Sequence, residues 1–205
     1  PNPDLRMIVT LFTFRAGMMV AGDSGIQSSA DLKGKRLPAF PPRALGEYII
    51  GANLKSGGLS YDDVEKIPTS NFPKMWKMFK EGQIDAAIVA VGSKPGYDFE
   101  ATYGKVNFLS FAEDQQAIAN EYLPGSFLAE LSTASKLPGA ADGIHVLGFD
   151  YALFAHKDVA NDIITEVVQA MHDNPDALKK TSPLWKGFDP ANMAKDVGVE
   201  FHSGA

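Results

Sequence analysis

The run Ile84–Val91 (IDAAIVAV) constrains this chain more than any other stretch. It is nearly continuous and apolar, and glycines bound it. Such a run suits a central strand covered on both faces, and strands of that kind sit in sheets flanked by helices. The remaining segments agree. Extended and helical patterns alternate along the chain, with no internal repeat and no low-complexity linker. This is an α/β pattern.

Near the N-terminus, Arg6–Phe14 and Gly17–Ala21 read as extended, either as two segments or as one strand kinked at Arg15-Ala16-Gly17. Arg36–Phe40 is a short strand that stops at Pro41-Pro42. A helix follows from near Arg43 to about Lys55, with Leu45, Tyr48, Ile49 and Ala52 on one face. Val64–Ile67 is another short strand. Ser70 is the expected N-cap of the next helix, in which Phe72, Met75, Trp76 and Phe79 fall at i, i+3, i+4 and i+7. That aromatic stripe is read as core packing rather than a binding surface. Val106–Phe111 is extended, Glu113–Tyr122 is a polar helix, and Ser126–Lys136 is ambiguous. Ile144–Ala155 is the longest extended run. Asp158 is the expected cap of a helix whose apolar face is Val159, Ile163, Val167 and Met171, joined by Ile164 and Val168.

Two strand ends lead into loops that can hold an anion. One is Phe40-Pro41-Pro42-Arg43-Ala44 and the other is Gly92-Ser93-Lys94-Pro95. Where a strand gives way to a helix, free N–H groups and the positive end of the helix dipole face the loop. Arg43 and Lys94 add one cation to each loop, and an arginine can grip a carboxylate through two parallel hydrogen bonds. The alternative for each is a solvated surface charge.

Composition removes several classes of function. The 205 residues carry a net charge of -6 with no basic stripe, which argues against nucleic-acid binding. There are no cysteines, so disulfides, Cys-ligated zinc and thiol catalysis are excluded. The four histidines, His145, His156, His172 and His202, show no metal-ligand spacing. No serine-hydrolase elbow and no phosphate-binding glycine loop occurs. The expected protein is not an enzyme and needs no metal or cofactor. No apolar run approaches the ~20 residues of a membrane span. The opening Pro1-Asn2-Pro3-Asp4 is expected to belong to a mature or truncated product.

Four stretches together resemble one family. They are DSGIQSSADLKGKRL at Asp23–Leu37, GLSYDDV at Gly58–Val64, EGQIDAAIV at Glu81–Val89 and GVEFHSGA at Gly198–Ala205. The combination resembles the TAXI family, the extracytoplasmic solute receptors of TRAP transporters. DLKGKR alone is shared by many periplasmic binding proteins. The resemblance implies an α/β fold of the periplasmic-binding-protein type II kind, with one complete lobe and the C-terminal part of the other. The implied division is residues 1–32 as a crossing strand and part of the first lobe, 33–143 as the second lobe, and 144–205 as the return strand and the rest of the first lobe.

The function implied is capture of a small organic solute, of the amino-acid or carboxylate class, for a TRAP membrane subunit. The implied location is the periplasm. The alternative is a ligand-sensing module of a regulatory protein on the same fold. An enzyme on this scaffold would need an active histidine cluster or a cofactor-bearing cysteine. The expected ligand-binding residues are Phe40, Pro42, Arg43, Ala44, Gly92, Ser93 and Lys94. Here Phe40-Pro41-Pro42-Arg43-Ala44-Leu45-Gly46 stands where the family usually has Gly-x-Pro-Gly-Ser-Gly-Thr. The prolines bring no N–H donors, which leaves Arg43 as a side-chain clamp or a pocket suited to a more apolar solute. Apolar surface left where a lobe should pack is expected to promote homo-oligomers.

Overall fold

The computed structural model describes residues 2–205. The chain forms two compact units. The larger is Arg15–Gly148, and the smaller combines the stretch up to Phe14 with Phe149–Ala205. The chain passes from one unit to the other inside strand β1 (Leu5–Ala21) and again inside β7 (His145–His156). The two N-terminal extended segments are therefore one strand of 17 residues. Gly17 lets it pass without a break, because a Cβ there would lie 2.8 Å from Val146 Cγ1 and 3.0 Å from a Phe108 ring carbon.

In the larger unit, β1 pairs antiparallel with β4 (Ala87–Ala90) and with β5 (Val106–Phe108). The sheet continues through β7 to β6 (Phe127–Glu130). A separate parallel pair joins β2 (Arg36–Ala39) to β3 (Glu65–Pro68). The helices are α1 (Leu45–Ser56), α2 (Phe72–Lys80), α3 (Lys94–Tyr103) and α4 (Gln116–Tyr122). Ile84 and Ala86–Val89 are all buried, as expected of a strand covered on both faces. In α2 the apolar stripe packs in the core at Met75 and Phe79, while Phe72 and Trp76 are half-buried. Met75, Met78 and Phe79 are buried, and Trp76 donates its indole N–H to the Ile88 carbonyl at 2.9 Å.

Several local expectations are corrected. Asn71, not Ser70, caps α2, and its side chain accepts the Lys74 N–H at 2.9 Å. In α1 the buried residues include Ile49, Ile50, Ala52 and Leu54, while Leu45 and Tyr48 face outward. The stretch after Gly92, read as loop, is helix α3. Pro95 and Gly96 look like breakers, but proline is well placed in a helical first turn, where its missing N–H is not needed.

In the smaller unit, Ile8, Val9, Leu11 and Phe12 of β1 form a core with Ile164, Phe188 and Met193. Phe12 stacks on Tyr151 at 5.6 Å and Phe14 packs on Phe149 at 5.3 Å. Helix α5 (Asn161–Asp173) begins after Ala160 rather than at Asp158, so Val159 lies outside it. Its inward face is Ile164, Val168 and Met171, while Ile163 is 54% exposed. Helix α6 (Pro175–Thr181) follows.

The C-terminal GVEFHSGA is built into this unit. Phe201 bridges Met7, and His202 donates its backbone N–H to the Met7 carbonyl at 2.8 Å. His202 is buried, with Nε2 3.1 Å from the Lys157 carbonyl and Nδ1 3.1 Å from the Gly204 N–H. These partners fit a neutral ring that carries its proton on Nε2. Gly204 has no room for a side chain, since a Cβ would lie 2.5 Å from the Asn161 carbonyl oxygen.

The other three stretches that carry the resemblance brace the larger unit. Asp31 accepts N–H bonds from Gln27 and Ser28, and Asp63 does the same for Ser60. Gly34, at φ +72°, donates to the Asp63 carbonyl at 2.7 Å, and Glu65 donates to that of Lys35 at 2.9 Å. Asp85 ties the start of β2 to the approach to β4. Its Oδ2 accepts the Arg36 N–H at 2.7 Å, its Oδ1 accepts from Arg36 Nη2 at 2.5 Å, and its own N–H donates to the Arg36 carbonyl at 2.9 Å. Thus DLKGKR, YDDV and GQIDAA position β2, β3 and β4 and so aim the strand-end loops.

Burial would push the Asp85 carboxyl up, but hydrogen bonds from the Arg36 side chain and backbone, with the guanidinium charge, hold it below its ordinary value. A group depressed on folding stabilises the fold above its unfolded pKa of about 3.9 and loses that contribution as pH falls through the folded value. Asp85→Asn is expected to cost about 1–2 kcal/mol near neutral pH, discounted for the partial exposure of the pair. Urea unfolding at about pH 7 and pH 3 checks this. The variant should lose less stability on acidification than the wild type, although Asp31, Asp63 and Asp142, also held low, keep some acid dependence. Equal losses in the two proteins would refute the assigned role.

Candidate functional site

The site is approached from the ends of β2 and β4. β2 ends at Ala39. Phe40 then turns inward, 9% exposed, with its ring 5.1 Å from that of Phe72. It lies over the first turn of α1, where a Cβ on Gly46 would come within 2.5 Å of the Phe40 ring. Phe40 is thus a packing residue that fixes the loop against α1, a role its aromatic side chain alone did not reveal. Pro42 and Arg43 are exposed at the crest, and Ala44 is the N-cap of α1.

Arg43 stands at φ +67°, a left-handed conformation that costs a side-chain-bearing residue about 1–2 kcal/mol. Its N–H donates to Glu47 Oε2 at 2.5 Å. One backbone donor of this loop is therefore occupied by the protein's own carboxylate. The Arg43 guanidinium makes no hydrogen bond or ion pair among the described residues, and the Leu45 and Gly46 amides find no acceptor there. An anion at the start of α1 would meet these two amides, the helix dipole and one free guanidinium, with Glu47 as a local opposing charge.

The second loop follows β4. Val91 donates its N–H to the Arg15 carbonyl at 2.9 Å, which extends the strand pairing by one residue. Gly92 turns the chain at φ +77°. Ser93 is the N-cap of α3, yet its Oγ is buried and has no hydrogen-bond partner among the described residues. A buried hydroxyl without a partner is costly, and a group bound at this helix start would satisfy it. Lys94 differs from the sequence expectation. As the first residue of α3 it pairs with Asp98 at 2.7 Å in an i, i+4 bridge, and it holds the Asp98 carboxyl below its ordinary value. It is a helix-surface charge with a partner already, so among the described residues the unpaired cation of the two loops is Arg43. Beside this loop, a groove of about 460 Å³ runs between α2 and α3, lined by Trp76, Lys80, Pro95 and Phe99 among others.

Among the described residues, no cluster of three His, Asp or Glu is placed to hold a metal ion. Among them also, no helix is long and apolar enough to cross a membrane. The profile of the NMT1-like family matches the chain over residues 1–205. The chain belongs to the NMT1-like family. No curated protein matches it.

Among solved structures, the NMT1-like chain is similar to the periplasmic aliphatic sulphonate binding protein SsuA from Escherichia coli, at 19% identity and a TM-score of 0.49 over 88% of this chain and 51% of that one. It is similar to the alkanesulfonate-binding protein SsuA from Xanthomonas axonopodis pv. citri, at 17% identity and a TM-score of 0.47 over 93% and 57%. It is also similar to holo ArgBP from T. maritima, at 15% identity and a TM-score of 0.46 over 86% and 61%. The NMT1-like chain therefore spans between 51% and 61% of the length of these proteins.

Proposed function

We propose that this NMT1-like chain is the solute-holding part of a periplasmic binding protein, and that it binds its solute at the starts of α1 and α3. The observation that carries the proposal is the pair of helix starts at strand ends. The α1 start offers the Leu45 and Gly46 amides beside the unpaired Arg43 guanidinium, and the α3 start offers the unpartnered Ser93 hydroxyl. Both starts present donors, so the solute carries an anionic or strongly accepting group. A small carboxylate or amino acid fits that description. Delivery to a TRAP-type membrane subunit, by a receptor of the TAXI kind, is the transport reading supported by the four shared sequence stretches. On this reading the protein binds and releases without chemistry.

Arg43 separates binding from folding. Arg43→Gly removes the guanidinium and also relieves the left-handed strain. The variant is expected to be as stable as the wild type or more stable by about 0.5–1 kcal/mol. It is also expected to bind an anionic solute more weakly by about 1.5–3 kcal/mol, the worth of a hydrogen bond to a charged group. Calorimetry with a panel of carboxylates and amino acids, beside thermal unfolding, reads both effects. Unchanged affinity for a solute that binds the wild type would make Arg43 a surface charge and move the site elsewhere.

A further inference from the structure

A second cavity lies in the larger unit, away from the strand-end loops. It is about 360 Å³, within the range of small-molecule sites. Ala16 of β1 pairs with Ala90 at the loop end, while Ala21 pairs with Val106 at the cavity end. Five residues of extended strand separate the two places by roughly 17 Å. The cavity is lined by Gln27, Lys105 and Asn107, by Ile26 and Phe108, and by glycines that include Gly22 and Gly139.

Among the described residues, no hydrogen bond or ion pair engages the side-chain polar atoms of Gln27, Lys105 or Asn107. Among the described residues, no carboxylate lines the cavity. Of the acids next to the lining segments, Asp23 is exposed and two others are engaged elsewhere. Asp31 accepts the Gln27 and Ser28 N–H groups, and Asp142 is held by the Thr133 N–H and hydroxyl. The Lys105 stem is seated on Gly22, where a Cβ would come within 2.8 Å of it, and the Gly22 N–H donates to the Lys105 carbonyl at 2.8 Å. The first part of the stem is thus braced at the cavity wall, while Lys105 as a residue is exposed. One cation and two primary amides make up the donor set, beside the apolar side chains of Ile26 and Phe108.

We propose that this cavity is a second ligand site, for a small carboxylate that bears a further hydrogen-bonding group, of the hydroxy-acid class. Lys105 pairs with the carboxylate, Gln27 and Asn107 bond the carboxylate and the hydroxyl, and Phe108 and Ile26 cover the carbon skeleton. This site is independent of the one proposed at the helix starts.

The test is a titration of the ¹⁵N-labelled chain with lactate, malate and 3-hydroxybutyrate, with lactamide as the uncharged control. At least one of the acids is expected to shift the Gly22, Gly25, Asn107 and Gly139 amides saturably, and to bind at least about tenfold more tightly than lactamide compared like for like. Lys105→Met should lower that affinity by about tenfold or more, and Lys105→Arg should retain most of it. Shifts at Leu45, Gly46 and Ser93 report the other site in the same spectra, so the two proposals fail separately. No saturable shift at the cavity amides with any of the three acids would overturn this proposal. So would equal affinity for acid and amide, or a Lys105→Met variant that binds as the wild type does.

Discussion

Phe79→Ala is expected to destabilise the larger unit by about 3–5 kcal/mol. Phe79 is 2% exposed and packs on Phe99 at a ring distance of 4.7 Å and on Tyr103 at 5.2 Å. Its backbone carbonyl also accepts the Tyr103 hydroxyl. Truncation removes the transfer free energy of the ring and leaves a hole between α2 and α3 that rigid neighbours fill only in part. A domain of ordinary stability, about 5–15 kcal/mol, would lose a large fraction of it. Each unit holds one tryptophan, Trp76 in the larger and Trp185 in the smaller. In a Trp185→Phe background, Trp76 fluorescence reports the larger unit alone, and urea unfolding gives the loss as a lower midpoint at similar slope. A loss below about 1 kcal/mol would mean that α2 does not pack as described.

Gly57→Ala is the second large effect, about 1–3 kcal/mol of destabilisation from overpacking. Adding a methyl to a glycine at the end of a helix is often neutral or favourable, because alanine restricts the unfolded chain. Here the sign reverses. A Cβ on Gly57 would lie 2.4 Å from the Ser29 carbonyl carbon and 2.5 Å from the Ala30 nitrogen. These are backbone atoms, so no side chain can swing aside. The backbone they belong to is the turn that Ser28 and Asp31 brace before β2. A displaced turn would shift β2 and the loop at Arg43 with it. The same denaturation experiment applies, and a Gly57→Ala protein as stable as the wild type would contradict the close approach.

The α/β character was legible because Ile84–Val91 is apolar throughout save Asp85, and because α2 carries an unbroken i, i+3, i+4, i+7 stripe. Capping positions were less so. Ser70 and Asn71 are both good caps, and only the Lys74 N–H pointing at Asn71 decides between them. Helix α3 was hidden by Pro95-Gly96, which reads as a break unless the proline is known to occupy a first turn. At the site, the sequence located both strand-end loops but not the fate of their cations. Lys94 is bound to Asp98 because α3 places the two one turn apart, and without the helix that pairing is invisible. Nor could spacing show that Phe40 is buried under α1, or that the Ser93 hydroxyl lacks a partner. Such facts depend on atoms brought together from distant parts of the chain.

The central claim is that the starts of α1 and α3 hold a small solute with an anionic or accepting group. Amide chemical-shift mapping of the chain against a panel of carboxylates, alkanesulfonates and amino acids tests it most directly. At least one solute is expected to shift the Leu45 and Gly46 amides together with Ser93, saturably and with one dissociation constant. If every solute in the panel leaves those three amides unmoved, or if they respond with unrelated affinities, the two helix starts do not form a solute site.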